Sequence, residues 1–359
     1  MSDLRARERI LAVVDLARRI ADGRDPLGEE ARALLRRTSG LSEAGVELAL
    51  AEHLETSPTE EDLTRLQASV GRAPRCHVVL ASNVCTAAVR CLALAAATAP
   101  EVTVRPSTRD PGLGPLLVRE LAASTRFRKA NGSVMIVDSI RANAGDEVHA
   151  YGSDASIAAI AASLPAGVVF RGHGTGFGIA FIGRSTDLEA AATLLARDVT
   201  AFDQRGCLSP RLALVSGDVD RGRTFARALS RSLAAAALGV PRGVLDGAAA
   251  AEAAAFRSLA DGLGERYEDR DCLVAFFPGA PPVPLPPAAR IVAVAAVGDE
   301  AACDAVISPY RQLLTTVGLA GTDDAARPLL ALAFVRFSEL GKMQCPPLDG
   351  PVDRRGPRR

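Results

Sequence analysis

The run Cys76-His77-Val78-Val79-Leu80-Ala81, bounded by Pro74 and Asn83, decides the fold class of this chain. A short apolar run between turn residues is typical of a strand buried on both faces, as in a parallel sheet. The sequence next predicts a helix over residues 86–97, followed by a strand, a helix and a third strand or helix edge. Those three elements cover residues 102–105, 114–123 and 134–137. Strands that alternate with helices predict an α/β fold with an open parallel sheet.

Ligands in open α/β sheets bind beyond the carboxyl ends of the strands. The polar residues that follow the predicted strands are Asn83, Ser107 and the segment Tyr151-Gly152-Ser153-Asp154. We therefore expect cofactor contacts at these positions.

A helical segment precedes the predicted sheet. Residues 1–70 place apolar side chains among Arg, Asp and Glu at helical spacing, with a break at Asp25-Pro26. The chain has 359 residues, of which 48% are hydrophobic, and this is enough for two lobes with separate cores.

The glycine-rich segment Arg171-Gly172-His173-Gly174-Thr175-Gly176-Phe177-Gly178 follows a predicted strand over residues 166–170, where we expect a second lobe to begin. Its glycines recur at every second residue and lack the G-x-G-x-x-G spacing of a dinucleotide fingerprint. The apolar run over residues 179–182 continues as a strand and does not open a helix. We predict a strand, a turn and a second strand, with a close approach at the glycines.

Charge and composition exclude several function classes. Lys and Arg number 42, as do Asp and Glu, so no net charge favours nucleic acid or an anionic membrane. The basic tail over residues 353–359 is expected to be a solvated end. No run of about 18 apolar residues occurs, and the chain begins with a charged helix. We expect a cytoplasmic protein without a membrane span.

The cysteine and histidine spacing argues against metal binding. The seven cysteines include no Cys-x-x-Cys pair, so neither a zinc site nor a disulfide framework is supported. The four histidines do not have the spacing that places ligands on one helix face. We predict no bound metal and reduced thiols.

Cys207 differs from the other cysteines in its surroundings. It lies in Phe202-Asp203-Gln204-Arg205-Gly206-Cys207-Leu208-Ser209-Pro210, a turn between a predicted helix and an apolar strand. A thiolate reacts where it is accessible and close to positive charge, which Arg205 and Arg211 supply in this interpretation. The alternative from local sequence is a buried structural cysteine.

Together with Asn83, the Cys207 stretch resembles the acyl-CoA reductase family typified by the reductase subunit of the luminous-bacterial fatty acid reductase. That family is a branch of the aldehyde dehydrogenase superfamily. Further matching segments occur in the family's order: Ala81-Ser82-Asn83-Val84, Arg105-Pro106-Ser107, Tyr151-Gly152-Ser153-Asp154 and Gly341-Lys342-Met343-Gln344-Cys345-Pro346-Pro347. The resemblance spans residues 76–350, and the cysteine motif is its most specific part.

The resemblance implies an aldehyde dehydrogenase-like fold with two α/β lobes after the helical segment over residues 1–70. We expect a nucleotide-binding lobe over residues 71–165 and a catalytic lobe over residues 166–330. The segment over residues 331–359 is then expected to return to the nucleotide-binding lobe.

The activity that the resemblance implies is reduction of a long-chain fatty acyl thioester to an aldehyde. Cys207 would attack the thioester carbonyl and form an acyl-enzyme, which hydride from a nicotinamide then reduces. Asn83 and the backbone N–H of Cys207 would form the oxyanion hole. The alternative for Asn83 is a turn-capping residue.

The resemblance also implies which residues contact the cofactor. Arg105 stands where many aldehyde dehydrogenases carry a lysine near the adenosine ribose. With Ser107 and Arg109 it would bind a 2′-phosphate, which favours NADPH over NADH. Gly152 and Ser153 complete the expected contacts. The alternative for Arg109 is a solvated loop arginine.

One departure from the superfamily pattern concerns the base. Aldehyde-oxidising members carry a glutamate in the strand and turn before the cysteine motif, whereas residues 169–175 contain no carboxylate. Hydrolysis of the acyl-enzyme is therefore expected to be slow, as suits a thioester reductase. His173 is a candidate to protonate the leaving thiolate or the aldehyde oxygen, and its alternative role is a backbone hydrogen bond.

The expected substrate is an acyl-CoA or an acyl carrier thioester, with an acyl-activating ligase subunit as a candidate partner. We also expect a homo-oligomer. Two other function classes stay open. One is a cysteine-dependent acyltransferase or thioesterase that uses no nucleotide, and the other is a non-catalytic subunit that binds a partner.

Overall fold

The computed structural model describes residues 2–81, 83–108, 112–279 and 282–355. Its α-helices are α1 (Ser2–Ala21), α2 (Pro26–Thr38), α3 (Glu43–Glu52), α4 (Glu60–Ser69), α5 (Ala88–Thr98), α6 (Gly114–Ala123), α7 (Thr125–Lys129), α8 (Asp154–Ser163), α9 (Leu188–Thr200), α10 (Val219–Gly239), α11 (Gly247–Leu263), α12 (Glu300–Ile307) and α13 (Arg327–Leu330). Its strands are β1 (Arg75–Val79), β2 (Glu101–Arg105), β3 (Ser133–Ile136), β4 (Glu147–Tyr151), β5 (Val169–His173), β6 (Phe177–Ile182), β7 (Pro210–Ser216), β8 (Glu265–Asp269), β9 (Cys272–Phe276), β10 (Ile291–Val297), β11 (Leu314–Ala320) and β12 (Arg336–Glu339).

The first sheet contains five parallel strands in the order β3-β2-β1-β4-β5. The chain moves outward from β1 to β3 and then returns to the opposite side of β1 as β4. The order therefore reverses between β1 and β4, and such a switch point opens a crevice beyond the carboxyl ends of the two strands. These ends lie at Val79 and Tyr151.

The N-terminal helices pack against helices α5 and α6, which cover this first sheet, as their amphipathic sequence predicts. The Asp25 side chain accepts a hydrogen bond from the Leu27 N–H and so caps α2 at the predicted break. The apolar stripe of α1 is buried in one core with α5, and its members are Ile10, Val13, Val14, Ala17 and Ile20. The described residues contain no helix that combines the length and the apolar composition needed to cross a membrane.

The second sheet has the order β12-β11-β6-β7-β10-β9-β8, in which β8 runs antiparallel to β9 and the other pairs are parallel. Helices cover both faces. The neighbouring residues Leu214 and Val215 belong to two different cores because successive side chains of a strand point to opposite faces. Leu214 packs in the core that includes Phe256 of α11, and Val215 packs in the core that includes Leu229 of α10.

The chain crosses from the first sheet to the second after β5, which is later than the sequence predicts. We assigned the strand near residue 166 to the second lobe, but β5 pairs with β4 at the edge of the first sheet. β6 belongs to the second sheet, so residues 174–176 connect two sheets and do not turn within one. Local patterning cannot distinguish these cases, because both place a short glycine-rich turn between two strands. The predicted close approach is confirmed, since a Cβ at Gly178 would lie 2.6 Å from the Leu208 carbonyl oxygen.

The C-terminal segment is held by buried polar contacts. Arg90 of α5 donates hydrogen bonds to the carbonyl oxygens of Pro346, Pro347 and Gly350, at 2.6–2.9 Å. Arg336 of β12 pairs with Asp349 at 2.8 Å. The segment therefore joins a helix of the first lobe to a strand of the second sheet.

The expectation that the basic tail is solvated is wrong for two of its residues. The side chains of Asp353 and Arg355 are each only 8% exposed and form an ion pair at 2.6 Å. A local excess of arginine does not reveal this burial, because the carbonyl groups that hold Arg355, those of Thr175 and Gln312, lie far away in sequence. Residues 356–359 lie outside the part of the chain that the structure describes.

The chain enters the loop that carries Cys207 through a left-handed turn. Phe202, Asp203 and Gln204 have φ angles of 53°, 52° and 65°. This backbone conformation costs an L-residue about 1–2 kcal/mol. Buried side chains offset that cost: Arg290 donates to the Asp203 carboxylate at 2.9 Å, and the Gln204 amide accepts from the Ile291 N–H at 2.9 Å.

Replacement of Arg290 tests how strongly the turn depends on this ion pair. The Arg290 and Asp203 side chains are 0% and 2% exposed, so Arg290→Met removes the closest positive charge from a buried carboxylate and leaves it Arg205 at 3.7 Å and the Gly243 N–H. We expect the free energy of unfolding to fall by about 3–5 kcal/mol, measured by urea denaturation. The matched control is Arg327→Met, which removes exposed ion pairs on α13 and should cost less than about 1 kcal/mol. Equal losses in the two variants would contradict this account.

Candidate functional site

A cavity of about 820 Å³ lies beyond the carboxyl ends of the first sheet, against the Cys207 loop. Its lining includes seven of the residues predicted from the sequence: Asn83, Arg105, Ser107, Gly152, Ser153, His173 and Cys207. Arg109, the eighth, lies outside the described residues. The fold thus brings together residues that are up to 124 positions apart in the chain, since Asn83 and Cys207 share one cavity.

Cys207 is half-buried in the turn between α9 and β7. Its carbonyl oxygen accepts a hydrogen bond from the Thr315 hydroxyl, which ties the turn to the start of β11. Burial raises the pKa of the Cys207 thiol to about 11, and the negative charge of Asp353 adds to this rise. The thiol is therefore protonated at neutral pH in the absence of substrate.

The expectation that Arg205 and Arg211 activate this thiol is wrong. Arg205 donates to the carbonyl oxygen of Ser39 at 2.7 Å, and Arg211 donates to that of Pro286 at 2.6 Å. Two arginines that are remote in sequence, Arg355 and Arg90, lower the pKa of the Cys207 thiol. Their effect is smaller than that of burial, which raises it. Short-range spacing does not determine where a long guanidinium side chain points.

Asn83 follows β1 and reaches the Cys207 loop directly. Its side-chain amide donates a hydrogen bond to the carbonyl oxygen of Arg205, at 3.2 Å. An amide NH₂ group carries two N–H donors, and this bond uses one of them. The bond therefore orients the amide beside Cys207 while the second N–H can serve an oxygen in the cavity.

His173 ends β5 and faces Tyr151 at the end of β4. The two rings stack with centroids 4.7 Å apart and an interplanar angle of 13°. Burial lowers the pKa of His173 to about 4, although the negative charge of Asp353 acts in the opposite direction. The imidazole is therefore neutral near pH 7, and it does not carry the proton with which we expected it to protonate a leaving group directly.

The residues at the switch point suit a dinucleotide. Arg105 ends β2 and lines the cavity, and its guanidinium group forms no ion pair with a carboxylate of the described residues. Ser153 caps α8 by accepting a hydrogen bond from the Ser156 N–H, so the N-terminus of a ten-residue helix meets the cavity. Helix N-termini and unpaired arginines both favour phosphate groups.

Gln344 is a cavity residue to which the sequence analysis assigned no role. It is buried, and its Oε1 atom would lie 3.4 Å from a Cβ placed on Gly206, next to Cys207. The turn before it is fixed by Asp198 of α9, which accepts hydrogen bonds from the N–H groups of Gly341 and Met343 at 2.6 and 2.9 Å. Burial raises the pKa of Asp198 to about 7. Gln344 lies within residues 341–347, one of the segments that carry the family resemblance. That segment is the sequence feature from which a role for Gln344 could have been predicted.

Asp353 is the second cavity residue that sequence reasoning missed. It lies beyond the segments that carry the resemblance, and its charge acts on both Cys207 and His173. The described residues contain no group of three or more His, Cys, Asp or Glu side chains arranged to hold a metal ion.

The two-sheet architecture, the switch-point crevice and a cysteine facing it define an aldehyde dehydrogenase-like protein. Similar solved structures include a NAD-dependent benzaldehyde dehydrogenase from Corynebacterium glutamicum, with 16% identity over 93% of this chain and 81% of that chain, at a TM-score of 0.66. A glyceraldehyde-3-phosphate dehydrogenase from Methanocaldococcus jannaschii, in complex with NADP, has 14% identity over 94% of this chain and 81% of that chain, at a TM-score of 0.65. At these identities the similarity establishes the fold.

Comparison of the sequence with family models identifies the family of this chain. The chain belongs to the acyl-CoA reductase (LuxC) family, whose model matches residues 30–350. No curated protein matches the chain. The family match and the structural similarities confirm both the resemblance and the aldehyde dehydrogenase-like α/β fold expected from the sequence.

Proposed function

We propose that this protein reduces a long-chain fatty acyl-CoA to the aldehyde with NADPH, through an acyl intermediate on Cys207. The observation that carries the proposal is the convergence of Cys207 and Asn83 in one cavity with the residues of the switch point. The family match supports an aldehyde-forming reductase in general. The proposal adds to this the identity of the nucleophile, Cys207, and of the cofactor, NADPH.

The first proposed step is attack of the Cys207 sulfur on the thioester carbonyl. The thiol proton passes to the departing carrier thiolate, with the neutral His173 imidazole as a proposed hydrogen-bond partner for that proton in transit, so the step releases a thiol and leaves an acyl-cysteine. Negative charge develops on the carbonyl oxygen during attack. The second N–H of Asn83 and the backbone N–H of Cys207 are the proposed donors to that oxygen.

A nicotinamide cofactor supplies hydride to the acyl carbon when it is bound. Arg105, Ser107 and the N-terminus of α8, with the preceding residues Gly152 and Ser153, are the proposed contacts to its phosphates and ribose. After hydride addition, one proton from solvent completes the proposed thiohemiacetal on Cys207, which collapses to the aldehyde and the free thiol. The absence of a carboxylate from residues 169–175 favours reduction over hydrolysis of the acyl-enzyme.

The decisive experiment is intact mass spectrometry of the protein after incubation with palmitoyl-CoA, without and then with NADPH. We expect one palmitoyl adduct on the native chain and its discharge, with formation of hexadecanal, when NADPH is added. Cys207→Ala should fold normally and form no adduct. The matched control is Cys345→Ala, which removes an exposed thiol and should leave the adduct unchanged.

Other outcomes would select the remaining function classes. An adduct on Cys207 that NADPH leaves unchanged, but that water or a second thiol removes, indicates a thioesterase or an acyltransferase. No adduct with palmitoyl-CoA or with an acyl carrier protein thioester indicates a subunit without chemistry of its own. An adduct that persists in Cys207→Ala assigns the nucleophile to another residue.

Asn83→Ala tests the oxyanion donor. We expect the turnover number to fall about 100-fold, because loss of one such donor typically costs about 10²–10³ in rate. The KM for the thioester should change little, since the donor acts mainly on the charge formed during attack. Steady-state rates with palmitoyl-CoA provide the measurement, and Asn143→Ala on an exposed loop is the control. An Asn83→Ala protein with the native turnover number would restrict Asn83 to a structural role.

Arg105→Ala tests the choice of cofactor. Loss of a charged hydrogen bond to the 2′-phosphate should raise the KM for NADPH about 10- to 100-fold, from a typical 1.5–3 kcal/mol per bond. The KM for NADH, which lacks that phosphate, should stay within about twofold. Arg128→Ala removes an exposed arginine of α7 and serves as the control. Equal effects on both cofactors would refute 2′-phosphate recognition by Arg105.

A further inference from the structure

Two carboxylates line the cavity in the described part of the chain, those of Glu55 and Asp353. Glu55 is paired with Arg90 at 2.9 Å. Asp353 comes from the C-terminal segment, and its charge acts on both Cys207 and His173. A carboxylate close to an acyl-cysteine is a potential general base for water, which would destroy the intermediate.

Arg355 occupies both oxygens of this carboxylate. Its Nε atom donates to Oδ1 of Asp353 at 2.7 Å, and its Nη2 atom approaches Oδ2 at 2.6 Å. Such a two-point pairing engages both carboxylate oxygens with charged N–H donors and fixes their orientation toward Arg355. Both side chains are 8% exposed, so water does not screen the pair effectively.

The pair is anchored on the crossing between the two sheets. The Nη1 atom of Arg355 donates to the carbonyl oxygens of Thr175 and Gln312, at 2.9 and 2.8 Å. Thr175 lies two residues after His173, and Gln312 precedes β11, where Thr315 binds the Cys207 carbonyl. Arg355 is thus fixed by backbone groups of the crossing and of the turn before β11, and its orientation does not depend on Asp353 alone.

We propose that Arg355 is a positioning residue that holds Asp353 in a two-point ion pair and so prevents this carboxylate from hydrolysing the acyl-enzyme. The proposal rests on the acyl-Cys207 intermediate of the proposed function. It assigns to the C-terminal segment a part in selecting reduction over hydrolysis.

The reaction that the ion pair suppresses is simple hydrolysis. A water oxygen bonds to the acyl carbon, the bond between that carbon and the Cys207 sulfur breaks, and a fatty acid leaves. Asp353 would take one proton from the water, and that proton would return to the cysteine sulfur. Reactants and products balance as acyl-cysteine plus water giving fatty acid plus cysteine.

The test measures hydrolysis of the palmitoyl-enzyme in the absence of NADPH, by intact mass and by release of palmitate. Arg355→Met frees the carboxylate, and hydrolysis should accelerate at least about tenfold, since a well-placed general base contributes about 10²–10⁴-fold. The double variant Arg355→Met with Asp353→Asn should return to the native rate. This rescue separates a freed base from a loosened C-terminal segment, which would hydrolyse equally fast with or without the carboxylate.

Two further variants complete the design. Arg354→Met removes a neighbouring arginine that pairs with Asp349, and hydrolysis should stay at the native rate. Arg355→Lys keeps the charge without the two-point geometry and should give an intermediate rate, which preserves the test if Arg355→Met does not fold.

The outcomes distinguish this inference from the proposed function. If the native chain forms a stable adduct and Arg355→Met and Arg355→Lys hydrolyse it at the native rate, the inference is overturned. The acyl-enzyme of the proposed function then still stands. Fast hydrolysis that persists in the double variant also overturns it. Absence of an adduct in every protein overturns both.

Discussion

The buried ion pair between Asp203 and Arg290 is the interaction on which the site depends most. It holds a left-handed turn that the backbone alone would disfavour, and the turn sets the direction in which the chain leaves toward Cys207. Arg290 also donates to the Val240 carbonyl oxygen at 2.6 Å, so the end of α10 and the start of β10 are tied to the same point. A nucleophile presented by a loop gains a fixed position in this way because buried, fully paired polar groups have few alternative arrangements.

The cavity exists because two sheets meet at a short crossing. The first sheet contributes the switch point, the second carries Cys207 at the start of β7, and residues 174–176 join them with little space to spare. A Cβ on Gly176 would lie 2.4 Å from a methyl carbon of Thr315, so a larger residue would push apart the elements that hold the Cys207 carbonyl. The C-terminal segment closes the same region, and it delivers Gln344 and Asp353 to the cavity wall. The site is therefore assembled from both lobes and the tail.

Much of this was predictable because it depends on short-range pattern. The apolar runs at β1 and β2 locate strands, and residues such as Asn83 and Ser107 must then follow at the carboxyl edge of a parallel sheet. The placement of β5, the directions of Arg205 and Arg211, and the burial of Asp353 depend on partners 22 to 180 positions away. Hydrogen bonds of that range leave no periodic trace in the sequence. The burial of the charged tail is unpredictable for the same reason. The pair of Asp353 and Arg355, two residues apart, could form equally in a solvated end, and the carbonyl groups that hold Arg355 are distant in sequence.

Burial explains the two shifted pKa values of the site, and it links reactivity to water exclusion. Withdrawal from solvent raises the pKa of the Cys207 thiol to about 11 and lowers that of His173 to about 4, so both groups are neutral at rest. A thiolate in an open, positively charged pocket would react faster with any electrophile. Two neutral groups instead require that a proton transfer accompany any attack by the thiol. Both shifts therefore follow from one physical cause, the removal of the two side chains from water.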